Sequence, residues 1–517
     1  MIISRDCCWE VQSNAHLVVI MGAQFFEGRE HRYIDYPISE VLQMLGKAGR
    51  PSQDKLSKAV LMVSAVKREY YKKFINEALP IESHLQTYMH DAFVAEISTK
   101  MITSTQDAVD WSTYTYFYRR LLANPSYYGL ADTSHEGLSA YLSELVETTL
   151  KELGDAKIIE VDEEDDTVTP LNPAMIAAYY NISFITMQTL LLSLNGRTKM
   201  KALLEIVTSA TEFETIQIRR HEDSIIRRVY DRLPIKMAEP AFESPHFKAF
   251  VLLQAHFSRL QLPVDLLKDQ EIILKRVLNL LSASVDVLSS EGHLNAMSAM
   301  EMSQMVVQAM WDRDSPLKQL PHFGADTVAA AQKAGLNDVF EFMEAMDPQE
   351  NKNYQKLVAS LALEPRQLAD AARFTNDKYP NVDLSFEVED KDELSAGAPA
   401  MLTVSIERDV DNDEAEVDLK VHAPFLPADK SENWWLVIGE ESTKSLLAIK
   451  RITVGKQLTT KLEYVVPTAG KHELTLYLMS DSYVGVDQAP TFEVDVAEGV
   501  DEDEAEEDNE AEDGAEE

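Results

Sequence analysis

The chain has no Gly-x-x-x-x-Gly-Lys-Ser/Thr stretch, the backbone cradle that nucleotide-hydrolysing P-loop enzymes need. It holds only two cysteines, Cys7 and Cys8. Adjacent cysteines make poor structural bridges, and without a Cys-x-x-Cys spacing they do not read as a zinc site. The histidines, among them His84, His90, His246, His256, His293 and His322, include no His-x-x-x-His pair. There is no Gly-x-Ser-x-Gly nucleophile elbow, and no metal site is expected. The apolar run Leu17–Met21 is too short to span a bilayer or to serve as a signal core. Positive charge is scarce: 48 Lys and Arg face 87 Asp and Glu, a formal net charge of −39. The segment Glu498–Glu517 holds thirteen acidic side chains and no Lys or Arg, yet the remainder is also net acidic. Such a body repels nucleic-acid backbones unless a local channel inverts the sign. This is the profile of a soluble chain in a reducing compartment, with no membrane partner.

What is present is a mosaic, and the 517 residues suffice for several domains. Residues 1–78 alternate between two apolar strands, His16–Met21 and Ala59–Val63, and helices such as Ile38–Leu45 and Lys67–Asn76. The strands read as buried and parallel, and Ile38, Val41, Leu42 and Leu45 share one helix face. This is α/β, too small for a complete doubly wound domain and already under way at its first strand, as expected of a fragment. Residues 79–172 are helical and close on a hairpin, Lys157–Val161 with Asp166–Thr169, which suggests a winged helix. Residues 173–310 predict a helical bundle, and 311–378 shorter helices broken at Pro316, Pro321, Gly335, Pro348 and Pro365.

From residue 379 to 497 the apolar period becomes two, as in Leu402/Val404/Ile406 and Leu474/Leu476/Leu478. Seven or eight strands, Val417/Leu419/Val421 among them, predict a β-sandwich of immunoglobulin or fibronectin-III kind without a bridging cysteine pair. Neighbouring Trp434 and Trp435 point to opposite faces of their strand. One of them is therefore expected to be exposed or covered by a neighbour, and an exposed one would anchor a partner. The acidic tail, residues 498–517, has too little apolar surface to fold.

The segments Tyr33–Pro37, Val41–Met44, Gly49–Pro51, Leu79–Leu85, Asn172–Tyr180, Gln304–Trp311 and Lys318–His322 together resemble the large Ski-like DExH RNA helicases that carry a Sec-sixty-three-type unit. Val285–Ser290, Trp434–Gly439 and Met479–Gly485 are most similar to the spliceosomal branch, which acts in the U-five snRNP on paired U-four/U-six RNAs. The branch of the activating signal cointegrator complex is the alternative. The resemblance implies the C-terminal part of a second helicase cassette. In order, that is a partial second RecA-like lobe, winged helix, bundle with ratchet helix, helix-loop-helix and immunoglobulin-like domain. It further implies a regulatory, protein-docking unit in the nucleus with spliceosomal partners, and with ATP and Mg only if the other helicase lobes are supplied.

Within that resemblance Gln43, Lys47 and Arg50 are the nucleotide-facing residues. An arginine there would neutralise the leaving γ-phosphoryl group, with about 10³–10⁵ in rate at stake. Position 47 is Lys where the family's active cassettes carry Arg, and a point charge grips phosphate less well than a planar fork. No ATP hydrolysis is expected of this chain alone. The ratchet-helix candidate is Ser298–Trp311, where Gln304 and Gln308 form either a solvated face or an RNA contact. Asp413–Glu416 and Asp503–Glu506 mimic the metal-binding helicase box but stand in the wrong context, a polar link and a tail. Glu144, Glu147 and the run Asp162–Asp166 make the winged helix a poor groove reader and a better scaffold. Arg219, Arg220, Arg227 and Arg228 are read as helix-surface ion pairs, with an RNA channel as the alternative. Trp111–Arg120 reads as a core helix rather than a base-stacking one.

Overall fold

The computed structural model describes residues 1–28, 32–76, 81–162, 164–346, 354–389, 394–409 and 417–498. The two acidic boxes at 413–416 and 503–506, and almost all of the acidic tail, lie outside these residues.

The first group of elements is β1 (Leu17–Met21), β2 (Gln24–Glu27), β3 (Arg32–Asp35), α1 (Ile38–Gly46), β4 (Lys58–Met62) and α2 (Arg68–Asn76). β1 and β4 pair in parallel, and β2 and β3 form an antiparallel hairpin that periodicity did not announce. Ile20, Ala23, Val41 and Tyr71 form the small core. The strands were expected to be buried on both faces, but only one face is covered. Leu17, Val19 and Met21 on the other face are 50%, 46% and 86% exposed, as is Met62 at 54%. On α1, Ile38 and Leu45 pack with Val41, while Leu42 turns outward.

Next come α3 (Met89–Ser98), α4 (Thr105–Thr113), α5 (Tyr116–Ala123), α6 (His135–Asp155), β5 (Ile159–Asp162) and β6 (Thr167–Pro170). Ser104, Thr115 and Ser134 cap α4, α5 and α6 by accepting backbone N–H groups, which fixes where each helix starts. On α6, Leu138, Leu142, Val146, Thr149 and Leu153 are buried at helical spacing, while Glu144 and Glu147 face water. β5 and β6 form the hairpin, and the Val168 N–H donates to the Thr103 carbonyl on its far side (2.8 Å).

The bundle contains α7 (Asn172–Tyr180), α8 (Phe184–Ser193), α9 (Met200–Thr208), α10 (Asp223–Tyr230), α11 (Pro245–Phe257), α12 (Val264–Ser290) and α13 (Ala296–Gln308). Nearly every side chain of α11 is buried, Lys248 included. A buried ammonium is tolerable only when paired. Lys248 Nζ lies 2.7 Å from Glu222 and 2.6 Å from Asp269, and it donates to the Gln217 carbonyl (2.7 Å). Arg219 bridges the same two carboxylates, which pins α10, α11 and α12 together.

Then follow α14 (Ala325–Lys333), α15 (Val339–Ala345), α16 (Tyr354–Leu361) and α17 (Pro365–Asp377). Among the described residues seven strands follow: β7 (Val382–Val388), β8 (Pro399–Arg408), β9 (Trp434–Glu440), β10 (Ser445–Ile452), β11 (Gln457–Val465), β12 (Gly470–Ser480) and β13 (Thr491–Val496). They form antiparallel sheets of order β10-β9-β12-β13 and β11-β8-β7. The expected strand at Val417–Val421 is not regular and, among the described residues, carries only an isolated bridge, Lys420 to Ser431.

Trp434, Leu436 and Ile438 face the opposite sheet, whereas Trp435 and Val437 face the helical core. The period-two rule for the tryptophans therefore holds, but Trp435 is covered by the chain's own bundle, not offered to a partner. Contact is close enough that a Cβ at Gly439 would sit 2.4 Å from Leu294 Cδ1, so a larger residue there would require the Leu294 side chain to move.

Candidate functional site

The segment expected to face a nucleotide lies at the end of α1. Gln43 is in the last turn, Lys47 is the C-terminal cap, and Arg50 follows the turn. The loop is stitched to the start of β1: Ala15 N–H donates to the Lys47 carbonyl, and Gly49 N–H to the Ala15 carbonyl, both at 3.0 Å. Gly49 has φ +142°, a conformation that L side chains rarely adopt. Arg50 is partly exposed but engaged within its own loop. Its Nε and Nη2 grip Asp54 at 2.7 and 2.9 Å, and that hydrogen-bonded pairing holds the Asp54 carboxyl below its ordinary range. The three residues are thus brought within one half-buried turn beside the sheet with the bare face.

Gln304 and Gln308 sit elsewhere and in different surroundings from those expected. Gln304 and Gln308 lie on the buried part of α13, at 4% and 2% exposure, while Glu301 on the same helix is exposed, so neither glutamine forms a solvated face. Gln304 Nε2 donates to the Ser480 carbonyl (2.8 Å) and to the Asp487 carboxylate (2.9 and 3.1 Å). Gln308 Nε2 donates to the carbonyls of Ser482 (2.9 Å) and His422 (3.3 Å). From the next segment Gln319 donates to the Val484 carbonyl (2.7 Å) and accepts its N–H (3.2 Å). Three glutamines therefore clamp the turn after β12. Burial of Asp487 pushes its carboxyl up to about 6, against the hydrogen bonds from Gln304 and Ser480. The 27-residue α12 presents a stripe outward through Leu267, Glu271, Ile272, Lys275 and Arg276.

Of the arginine cluster, Arg219 belongs to the buried network and Arg227 lies 4.2 Å over the Phe242 ring. In Trp111–Arg120, Phe117 is fully buried and Trp111 meets Phe93 edge-on, while Tyr114 is 89% exposed. Among the described residues no group of three or more His, Cys, Asp or Glu could hold a metal ion. No described helix is long and apolar enough to cross a membrane.

Residues 170–493 match the family described as Sec63 Brl domain, well over half of the chain. The chain belongs to this family. Residues 82–163 match the Winged Helix-turn-helix domain family, a stretch that takes in α3 to β5. The Sec63 match takes in the bundle, the clamp and the sandwich together. Over 97% of this chain there is 52% identity to the pre-mRNA-splicing factor brr2 of Schizosaccharomyces pombe. Over 96% there is 47% identity to the human U5 small nuclear ribonucleoprotein 200 kDa helicase. An activating signal cointegrator 1 complex subunit 3-like protein of Dictyostelium discoideum is 43% identical over 94%. The chain spans only 22–23% of the length of these relatives. It is therefore homologous to one region of the brr2-type helicases, the region with the winged helix and the Sec63 unit.

Proposed function

We propose that this chain is the regulatory and protein-docking end of the second cassette of a spliceosomal RNA helicase, working in the nucleus on other splicing proteins. Residues 1–78 are then part of a second RecA-like lobe and 79–172 its winged helix. Residues 173–310 are the helical bundle, 311–378 the helix-loop-helix, 379–497 the immunoglobulin-like sandwich and 498–517 an acidic tail. The observation that carries this reading is the pairing of a nucleotide-facing motif, Gln43–Arg50, with a sheet whose face at Leu17, Val19, Met21 and Met62 is bare. A γ-phosphate sensor needs an opposing phosphate cradle, and the sequence holds none. The bare face is where further helicase elements pack, and ATP and Mg²⁺ bind only when they do.

The burial of Gln304 and Gln308 supports a locked bundle over one that steps along RNA through α13. An RNA contact, where one is made, falls on the outward stripe of α12 with Lys275 and Arg276. The test is phosphate release by the purified chain with Mg²⁺, ATP and single-stranded RNA. Background turnover is expected for both the wild type and Arg50→Ala, and turnover that Arg50→Ala abolishes overturns the reading. The higher identity to the spliceosomal relatives favours that pathway over the cointegrator one. Co-purification of snRNP proteins is the expected result, and of cointegrator-complex proteins the contrary one.

A further inference from the structure

A groove of about 1020 Å³ runs between α4, α6 and the hairpin strand β5. Three features of its walls point to a peptide ligand.

The first is an open strand edge. Val168 on β6 sends its N–H away from β5, to Thr103. Opposite residues of an antiparallel pair alternate between bonded and non-bonded, so Val161, which faces Val168, belongs to a non-bonded pair. The N–H and C=O of Val161 therefore point out of the two-stranded sheet on the side away from β6, and Val161 itself lines the groove. Glu160 and Asp162 spend theirs on β6. An outward-facing strand edge is a template for another strand.

The second is charge. Glu147, Asp155, Glu160 and Asp162 line the groove and are exposed, against Lys151 and Lys157. The third is the floor, where Val109 and Leu150 line the same groove beside β5. A strand lying on β5 would place every second side chain beside Glu160 and Asp162 and the intervening ones over the apolar floor.

We propose that this groove binds an extended basic peptide segment of a partner protein, which adds as a strand to the free edge of β5. The peptide has alternating Lys or Arg and apolar residues. The proposal rests on the protein-docking reading and names the partner chemistry for one of its surfaces.

The probe is a fluorescein-labelled octapeptide of alternating Lys and Val, titrated into the full 517-residue chain and read by fluorescence anisotropy. Saturable binding is expected. It should weaken at least tenfold in three arms: when alternate peptide amides are N-methylated, when Glu replaces Lys in the peptide, and in the variant Val161→Pro. Proline at 161 deletes only the outward N–H and leaves the β5–β6 ladder its bonds. The N-methylated peptide repeats that test on unaltered protein, so a poorly folded variant does not weaken it. Equal affinity of the N-methylated peptide overturns strand addition. Displacement of the peptide by a single-stranded RNA oligonucleotide overturns the choice of a peptide ligand. Recovery of snRNP proteins on a chain that shows no peptide binding overturns this site alone and leaves the docking function standing. Failure of both removes the docking function too.

Discussion

Gln304 on helix α13 and Asp487 in the turn after strand β12 lie 183 residues apart in sequence, yet the carboxamide of the first donates to both oxygens of the second. Ser480 N–H adds a bond of 2.8 Å to the same carboxylate. The bundle and the sandwich are thus joined by buried polar contacts as well as by apolar packing, and the joint is costly to break from either side.

Gln304→Ala strands Asp487 and the Ser480 carbonyl without that donor. Leaving buried groups unsatisfied costs about 1–3 kcal/mol each. We expect a loss of about 2–4 kcal/mol in urea unfolding, and a smaller one for Gln308→Ala, which frees only two carbonyls. No change for Gln304→Ala would mean that the clamp is idle.

The pH response of Asp487 follows from its raised carboxyl, at about 6 against an ordinary 3.8. The folded state binds a proton more readily than the unfolded one, so this group's contribution is full below about pH 4. It is lost as pH rises through 6, an effect of roughly 2–3 kcal/mol. Glu301 on α13 repels the charged form, and Gln304 and Ser480 favour it. Asp487→Asn should remove that slope and be no less stable than wild type at pH 8, as measured by urea melts from pH 4 to 8.

His256 works in the opposite direction. Its Nε2 lies 2.7 Å from the Val306 carbonyl, so it donates there, and burial lowers its pKa to about 4. The neutral ring is the folded form. Its contribution is present above the unfolded value of 6.5 and is lost as pH falls through 4. His256→Gln keeps a donor and should lose this slope. The two single variants, Asp487→Asn and His256→Gln, should therefore change the pH dependence of stability with opposite sign.

Lys248→Ala removes the ammonium from a site where Glu222 and Asp269 are both buried. Arg219 remains, but two carboxylates would share it. Breaking a buried ion pair costs about 3–5 kcal/mol, and we expect a loss in that range by chemical denaturation.

Val19→Lys on the bare face of β1 should change the stability of this chain by less than about 0.5 kcal/mol, because the side chain already meets water. The same change at Ile20, which is 6% exposed, should cost several times more. Equal costs would show that the face is covered.

Much of the architecture was legible because period is a local property. The shift to alternation past residue 379 foretold strands at Leu402–Ile406 and Leu474–Leu478, and Leu142, Val146 and Thr149 foretold α6. What failed was long-range. Val417–Val421 has the alternation of a strand and, among the described residues, pairs with none beyond one bridge. The i, i+4 spacing of Gln304 and Gln308 looked like a polar face, because a sequence does not show that strand β12 and its turn arrive from 174 to 183 residues away to accept those hydrogen bonds. The exposure of Leu17 and Met21 was hidden for the same reason: an apolar run reads as buried whether or not its cover is present.

Strand β9 places Trp434 in one core and Trp435 in the other, with no spare layer between them. The sandwich cannot then melt while the bundle stays intact, since opening either core strips one wall from its neighbour. Calorimetry should show the two as a single cooperative transition, and a domain boundary drawn near residue 379 for expression would cut through a shared wall, yielding two pieces that are each less stable than the whole.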